Sequence, residues 1–436
     1  MKATQRTIHH TLLATAISCA LIAPQVNAGT LSNIYQQALD QDPQLKAAEA
    51  ASKAGAETLP QSRAGLLPSI SLNGNTTWIE AETASYNNHG YTVSLSQPLF
   101  SASSWFTYQQ GIAQSEVASL QFDQAQQNLI LRVIDSYLGV LRAQTSLETS
   151  QAQERAIKRR LDQVNAQFEV GLIAITDVQE AQATYDNAKV ARILAEGDLD
   201  NSFQGLERLT GQPVGTIDPL SKEYPIENIS PIEPQAWLEK AMAGNLSLKV
   251  AEANTEAARR QAQAASSGHL PTLSLTASYD RDKGKPSGTS GWEETNQIGL
   301  TLSMPIFSGG ATSSISRQAE YGFAQARFNQ DDALRGVTQE VRNLLRNLQT
   351  NVLSVAARKQ SILSSETALR ATEEGFNVGT RNVVDVLQAE QQLYSAQRDY
   401  ANARFDYIQN LFSFKQQIGT LSPEDVIGLD QWMQAK

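Results

Sequence analysis

The chain has 436 residues, 41% hydrophobic and 18% charged, with one cysteine, four histidines and a net charge of −10. The acidic balance excludes a nucleic-acid binder, which needs a basic face. A single cysteine excludes a disulfide framework and every multi-cysteine metal site.

The fourteen prolines all lie outside residues 99–212 and 306–422. The usual frequency of about 5% would place several in each stretch, so two very long helical regions are expected. No apolar run reaches the ~18 residues that a membrane-spanning helix needs. Residues 1–28 read as a secretory signal: Lys2 and Arg6, an apolar segment from Leu12 to Ala23, then Val26-Asn27-Ala28. Cleavage there removes both charges and the only cysteine, and takes the balance to −12. A lipid on Cys19 is the competing reading; apolar residues continue past it to Ala23, and Ala16-Ile17-Ser18 is a poor lipid-attachment signal. A cysteine-free mature chain suits an oxidising envelope compartment.

Four blocks recur in order at offsets of 203 to 208 residues. LKAAEA at 45–50 matches LKVAEA at 248–253, and LPSISL at 67–72 matches LPTLSL at 270–275. SLSQPLFS at 94–101 matches TLSMPIFS at 301–308, and FEVGLIAITDVQEA at 168–181 matches FNVGTRNVVDVLQA at 376–389. The period far exceeds that of a solenoid, so the chain reads as two tandem repeats, 29–211 and 236–418. Residues 212–235, with five prolines, read as the connector, and 419–436 as a C-terminal tail.

Within each repeat the pattern switches between two periods. Ile70, Leu72, Gly74, Thr76 and Trp78 alternate with small polar residues, as do Tyr91, Val93, Leu95, Gln97 and Leu99. Leu273, Leu275, Ala277 and Tyr279, then Ile298, Leu300, Leu302 and Met304, do the same. Strands are predicted over 68–80, 90–100, 271–281 and 295–305, ended by Pro98 and Pro305. Their length and alternation fit tilted membrane strands with an apolar outside and a polar inside. Helical spacing follows: Ile130, Ile134, Tyr137 and Leu141, then Leu345, Leu348, Val352 and Val355. Long helices are predicted over 103–168 and 310–376, turns at 169–175 and 377–383, and a returning helix after each. Glycines 171 and 379 suit helix ends, and Asp177 and Asp385 suit the N-termini that follow. Glu293, Glu294 and His89 read as surface residues of the loops at the opposite end. Four strands cannot enclose a barrel, and open edges are not tolerated in lipid. Three copies would give twelve strands, continued by a tube of long helices.

At these motifs, above all GLIAITDVQEA and VGTRNVVDVLQAE, the sequence resembles the TolC family of outer-membrane efflux and secretion channels, over roughly residues 29–422. The resemblance implies an α+β membrane protein: a trimeric 12-stranded β-barrel continuous with a long coiled-coil-like α-helical barrel. It implies a homotrimer in outer-membrane lipid with its helices in the periplasm of a Gram-negative envelope, docked to a periplasmic adaptor and an inner-membrane RND or ABC transporter. By the same resemblance, adaptors contact the turns Val170-Gly171-Leu172 and Val378-Gly379-Thr380. The gate pairing would fall on Asp177 with Arg381, and on Thr176 with Phe376, which lacks the hydroxyl of a tyrosine. An entrance ring of carboxylates would fall on Asp385 and on Gln388, which is uncharged. No catalytic, cofactor or metal residues are expected, since no GxSxG, HExxH, P-loop or GxGxxG occurs. A periplasmic adaptor without a pore is the alternative, but it would lack the paired amphipathic strands.

Overall fold

A computed structural model describes residues 29–433 other than 83, 232 and 285–290. The signal sequence and Cys19 lie outside the described residues.

Three short helices open the chain, α1 (Leu31–Gln41), α2 (Pro43–Ala56) and α3 (Thr58–Ala64). Asp42 ends the first and starts the second: its carboxylate accepts from the Gln44 N–H at 3.1 Å, and Pro43 occupies the first helical position. A hairpin follows, β1 (Ser69–Ala81) and β2 (Ala84–Phe100), and leads directly into α4 (Ala102–Glu169), 68 residues long. At 1.5 Å per residue α4 spans ~100 Å. Ser101 caps it by accepting from the Ser104 N–H at 3.2 Å. The chain then returns as α5 (Ile175–Thr210).

After the connector the same order of elements runs again. It comprises α6 (Pro234–Gly244), α7 (Leu246–Ser266), a 3₁₀ turn (Ser267–His269), β3 (Thr272–Lys283), β4 (Glu293–Ser303), α8 (Ala311–Asn377) and α9 (Val383–Gln417). The last helix, α10 (Pro423–Asp430), closes the described chain.

The strands form one antiparallel sheet in the order β1-β2-β3-β4. Its register puts Ile70 opposite Leu95, Leu72 opposite Val93, Ala277 opposite Ile298 and Leu275 opposite Leu300. Directly opposed residues share a face, so one face is apolar. The other carries Ser71, Asn73, Ser94, Thr92, Ser278 and Gln297. Neither face is covered within the chain: Ile70 and Leu72 are 71% exposed and Ile298 is 83% exposed. Among the described residues the outer edges of β1 and β4 pair with nothing.

Several sequence expectations are corrected here. β2 begins at Ala84, not at residue 90, so the hairpin is longer than the clean alternation suggested. Pro98 lies inside β2 instead of ending it. It sits beyond the last β1 pairing, Ser69 with Ser96, and beside a register irregularity before Phe100, where a missing N–H costs no ladder bond to β1. Pro305 does fall outside β4, which starts at Glu293. His89, Glu293 and Glu294 are strand residues, not loop residues. Glu294 lies 3.4 Å from Arg281, and the His89 ring stands edge-on to Trp292 at 5.3 Å.

The main core wraps the middle of the long helices. Leu129, Ile130, Val133, Ile134, Tyr137, Leu138 and Leu141 of α4 are buried with Val341, Leu344, Leu345 and Leu348 of α8. Phe405, Ile408, Phe412 and Phe414 of α9 join them. The connector is bound to this girth by hydroxyls and a guanidinium. The Tyr137 hydroxyl donates to the Asp218 carbonyl at 2.8 Å and accepts from its N–H at 3.0 Å. The Tyr407 hydroxyl donates to the Glu227 carbonyl at 2.8 Å, and buried Arg404 donates to the Ser221 carbonyl. The C-terminal segment is part of the same layer: Val426 and Leu429 of α10 are buried, and Leu220 bridges to Met433.

Candidate functional site: the paired helical tips

Both long helices end in the same hydrogen-bonded turn. At the first, the Leu172 N–H donates to the Gln167 carbonyl and the Gly171 N–H to the Phe168 carbonyl, both at 2.9 Å. At the second, the Thr380 N–H donates to the Gly375 carbonyl at 2.8 Å and the Gly379 N–H to the Phe376 carbonyl at 3.1 Å. This is the paired closure that a left-handed residue permits, and Gly171 and Gly379 have φ of 77° and 76°. The turns display apolar side chains: Val170, Leu172 and Val378 are all exposed. The Thr380 hydroxyl is turned back onto the Gly375 carbonyl at 3.0 Å.

The two returning helices start differently. α9 carries a capping box: Asn382 accepts from the Asp385 N–H at 2.8 Å, and the Asp385 carboxylate accepts from the Asn382 N–H at 3.3 Å. Arg381 lies 3.9 Å from the same carboxylate. α5 starts at Ile175 with no side-chain cap, and Asp177 sits in its first turn.

Within one chain Arg381 thus faces Asp385, and it is not in ion-pair contact with Asp177. Thr176 is exposed, and Phe376 packs with the small tip core of Ile157, Leu161, Val164, Ala181, Val383 and Leu387. Gln388 is exposed on α9, one turn beyond Asp385.

One arrangement escaped the sequence reading. Arg160 of α4 donates to Glu373 of α8 at 2.7 Å and to Glu390 of α9 at 3.3 Å, and its guanidinium lies 5.8 Å from the Phe376 ring centroid. Burial pushes the Glu390 carboxyl above the usual glutamate range, while the neighbouring Arg160 pulls it back. Farther up, Arg142 of α4 pairs with Asp406 of α9 at 2.7 Å. No periodicity signals such pairs, because their partners lie more than two hundred residues away in sequence. Among the described residues no helix is long and apolar enough to cross a membrane, and no acid, histidine or cysteine cluster has metal-binding form.

The geometry is that of a bare two-faced sheet feeding very long helices that end in paired turns. The profile of the family described as "Outer membrane efflux protein" matches residues 34–212 and 237–420, and the chain belongs to that family. It is 37% identical over 427 residues to the outer membrane protein TolC of Vibrio cholerae, covering 96% of this chain and 98% of that protein. It is 31% identical to the alkaline protease secretion protein AprF of Pseudomonas aeruginosa, covering 90% of this chain and 85% of that one. In fold it is similar to the crystal structure of the outer membrane protein VceC from Vibrio cholerae. The TM-score is 0.78 at 17% identity, with 89% of this chain and 96% of that chain covered.

Proposed function

We propose that three copies of this chain close a twelve-stranded barrel in the outer membrane and extend it as a helical tunnel into the periplasm. The protein is an outer-membrane channel for efflux and type I secretion. One observation carries the quaternary reading: the four-stranded sheet is apolar on one face, polar on the other and open at both edges. Hydrocarbon accepts no unpaired strand edge, and four strands cannot close on themselves. Edge-to-edge joining of β4 to the next copy's β1 satisfies both constraints, turns Ile70, Leu72, Ile298 and Leu300 to lipid, and leaves the serine and asparagine face to line water. The recurrence of helix, hairpin, long helix and returning helix in each half supports the tandem-repeat reading.

The tips then form the periplasmic mouth. The exposed Val170, Leu172, Val378 and the turn glycines Gly171 and Gly379, with Thr380, are the docking surface for a periplasmic adaptor, which connects the conduit to an inner-membrane RND or ABC transporter. Asp177 with Arg381, and Thr176 with Phe376, meet at the mouth when hairpins of adjacent copies are brought side by side. Asp385 and Gln388 line the entrance. The chain needs no cofactor, since its work is passive conduction. The test is mass and conductance together: protein purified in detergent is expected at three mature chains and to form discrete pores in planar bilayers. A monodisperse monomer that conducts would overturn the architecture.

A further inference from the structure

The last residues of β3 carry an alternation of charge that passive conduction does not use. Tyr279-Asp280-Arg281-Asp282-Lys283 sets acid against base at successive positions, and a strand sends successive side chains to opposite faces. Asp280 lies opposite Thr92 and Asp282 opposite Gly90, on the polar face. There Asp280 accepts from the Thr92 hydroxyl at 2.6 Å and from the Ser278 hydroxyl at 2.9 Å. Arg281 and Lys283 fall on the other face, opposite Tyr91 and His89 and in line with Leu275, Ala277 and Tyr279. Aromatic rings collect around them. The Trp292 centroid is 5.2 Å from the Arg281 guanidinium and 5.3 Å from the His89 ring, and the Tyr91 and Tyr279 rings are 6.2 Å apart. Glu294 is 3.4 Å from Arg281 Nε, yet that nitrogen is enclosed with no hydrogen-bond partner. Among the described residues Lys283 has no ion-pair partner. Glu80 shares the face but stands on β1 six residues beyond Gly74, which is level with Tyr91 and Arg281.

We propose that Arg281 and Lys283, with the rings around them, bind the phosphate groups of a phosphorylated glycolipid in the outer leaflet of the membrane. The inference rests on the barrel reading given above, in which the apolar face meets lipid and the hairpin ends point away from the periplasm. The outward face of a barrel is apolar through its hydrocarbon band, and an arginine or lysine is tolerated there only near the interface. The pair therefore marks the level of the headgroups, where tyrosine and tryptophan also settle. Charge decides the occupant. The pleat sends the carboxylates of Asp280 and Asp282 to the water-filled side and both cations to the lipid side. A guanidinium presents a planar fork that matches phosphate oxygens, and an ammonium beside it adds a compact positive charge. Trp292 steadies the fork through its ring face. Glu294 repels an arriving anion, so it weakens the site that its neighbour forms.

The experiment is native mass spectrometry of the purified full-length oligomer in detergent, reading the glycolipid it retains, with pore formation in planar bilayers measured alongside. The probes are bis-phosphorylated lipid A, the same lipid A stripped of its phosphates, and inorganic phosphate alone. The parent is expected to retain the first and not the second. Arg281→Gln with Lys283→Gln should lower retention roughly tenfold or more while pores still form. Asp280→Asn, on the opposite face, should retain lipid A as the parent does. Glu294→Gln should retain more than the parent, and it carries the test where the double variant does not assemble. A pore-forming parent that holds both lipids equally would overturn the headgroup site alone. So would a double variant that retains as much as the parent, a loss of retention in Asp280→Asn, or Glu294→Gln at or below the parent. Displacement of lipid A by an equal concentration of inorganic phosphate would overturn the lipid as occupant. A parent that forms no pores would overturn the conduit reading, and the headgroup site with it.

Discussion

At the scale of single residues, the turn glycines separate strain from obstruction. Gly171 and Gly379 have positive φ, yet nothing lies within 4 Å of where a Cβ would stand. Any other residue pays about 1–2 kcal/mol for that backbone conformation but meets no neighbour, so a large side chain would project from the tip into solvent. On the proposed docking of an adaptor at these turns, Gly171→Trp and Gly379→Trp are expected to leave trimers in the membrane and to abolish export, because the added ring would take the adaptor's place. Trimer yield and drug or protein export, measured in the same cells, check this; normal export in both variants would remove the turns from docking. These glycines were legible in the sequence because a helix must end somewhere and few residues end one in the left-handed region. Arg160 was not, since in a helix rich in arginine and glutamate only the packed structure says which charge is buried.

At the scale of elements, strands and long helices were legible because each repeats a simple period. The register keeps the alternations read from the sequence on one face up to the irregularity before Phe100, including Leu273 opposite Leu302. What failed were the two ends of β2: it begins at Ala84, and Pro98 is carried within it, where pairing to β1 has already ended. The connector was harder still. Its prolines marked it as irregular, but its hydrogen bonds go to Tyr137 and Tyr407, far away in sequence. Tyr137 is fully buried, and its hydroxyl satisfies both the carbonyl and the N–H of Asp218. Tyr137→Phe leaves those groups unpaired, at about 1–3 kcal/mol. Its expected signature is faster amide exchange and earlier proteolytic nicking within 212–235, with the long helices unaffected. Unchanged protection of that segment would show that the strap is held by Arg404 and Tyr407 without it.

At the scale of the whole molecule, charge is the property that outlives any single contact. In the proposed trimer, three chains without residues 1–28, at −12 each, bring −36 to one conduit. A pore lined by one sign of charge concentrates the opposite ion. Cation preference is therefore expected from reversal potentials in asymmetric salt. Asp385→Asn should reduce it without unseating α9, because asparagine keeps an oxygen for the Asn382 N–H while losing the charge beside Arg381. Anion preference in the parent would contradict the placement of acidic residues along the path. The sequence announced the sign of this charge but not that Asp385 is shared between a helix cap and an ion contact, which only the tip geometry reveals.

The unpaired edges of β1 and β4 also bear on how the protein comes into being. A lone chain has its long helices and their core, which water tolerates, but it owns a sheet that neither water nor lipid welcomes. On the proposed barrel of three copies, entry into the bilayer must then wait for company, and the step that commits the chain to the membrane is the encounter of three. Such a step depends steeply on concentration. Scarce synthesis would strand chains in the envelope out of proportion to the shortfall, and excess would yield finished channels just as disproportionately.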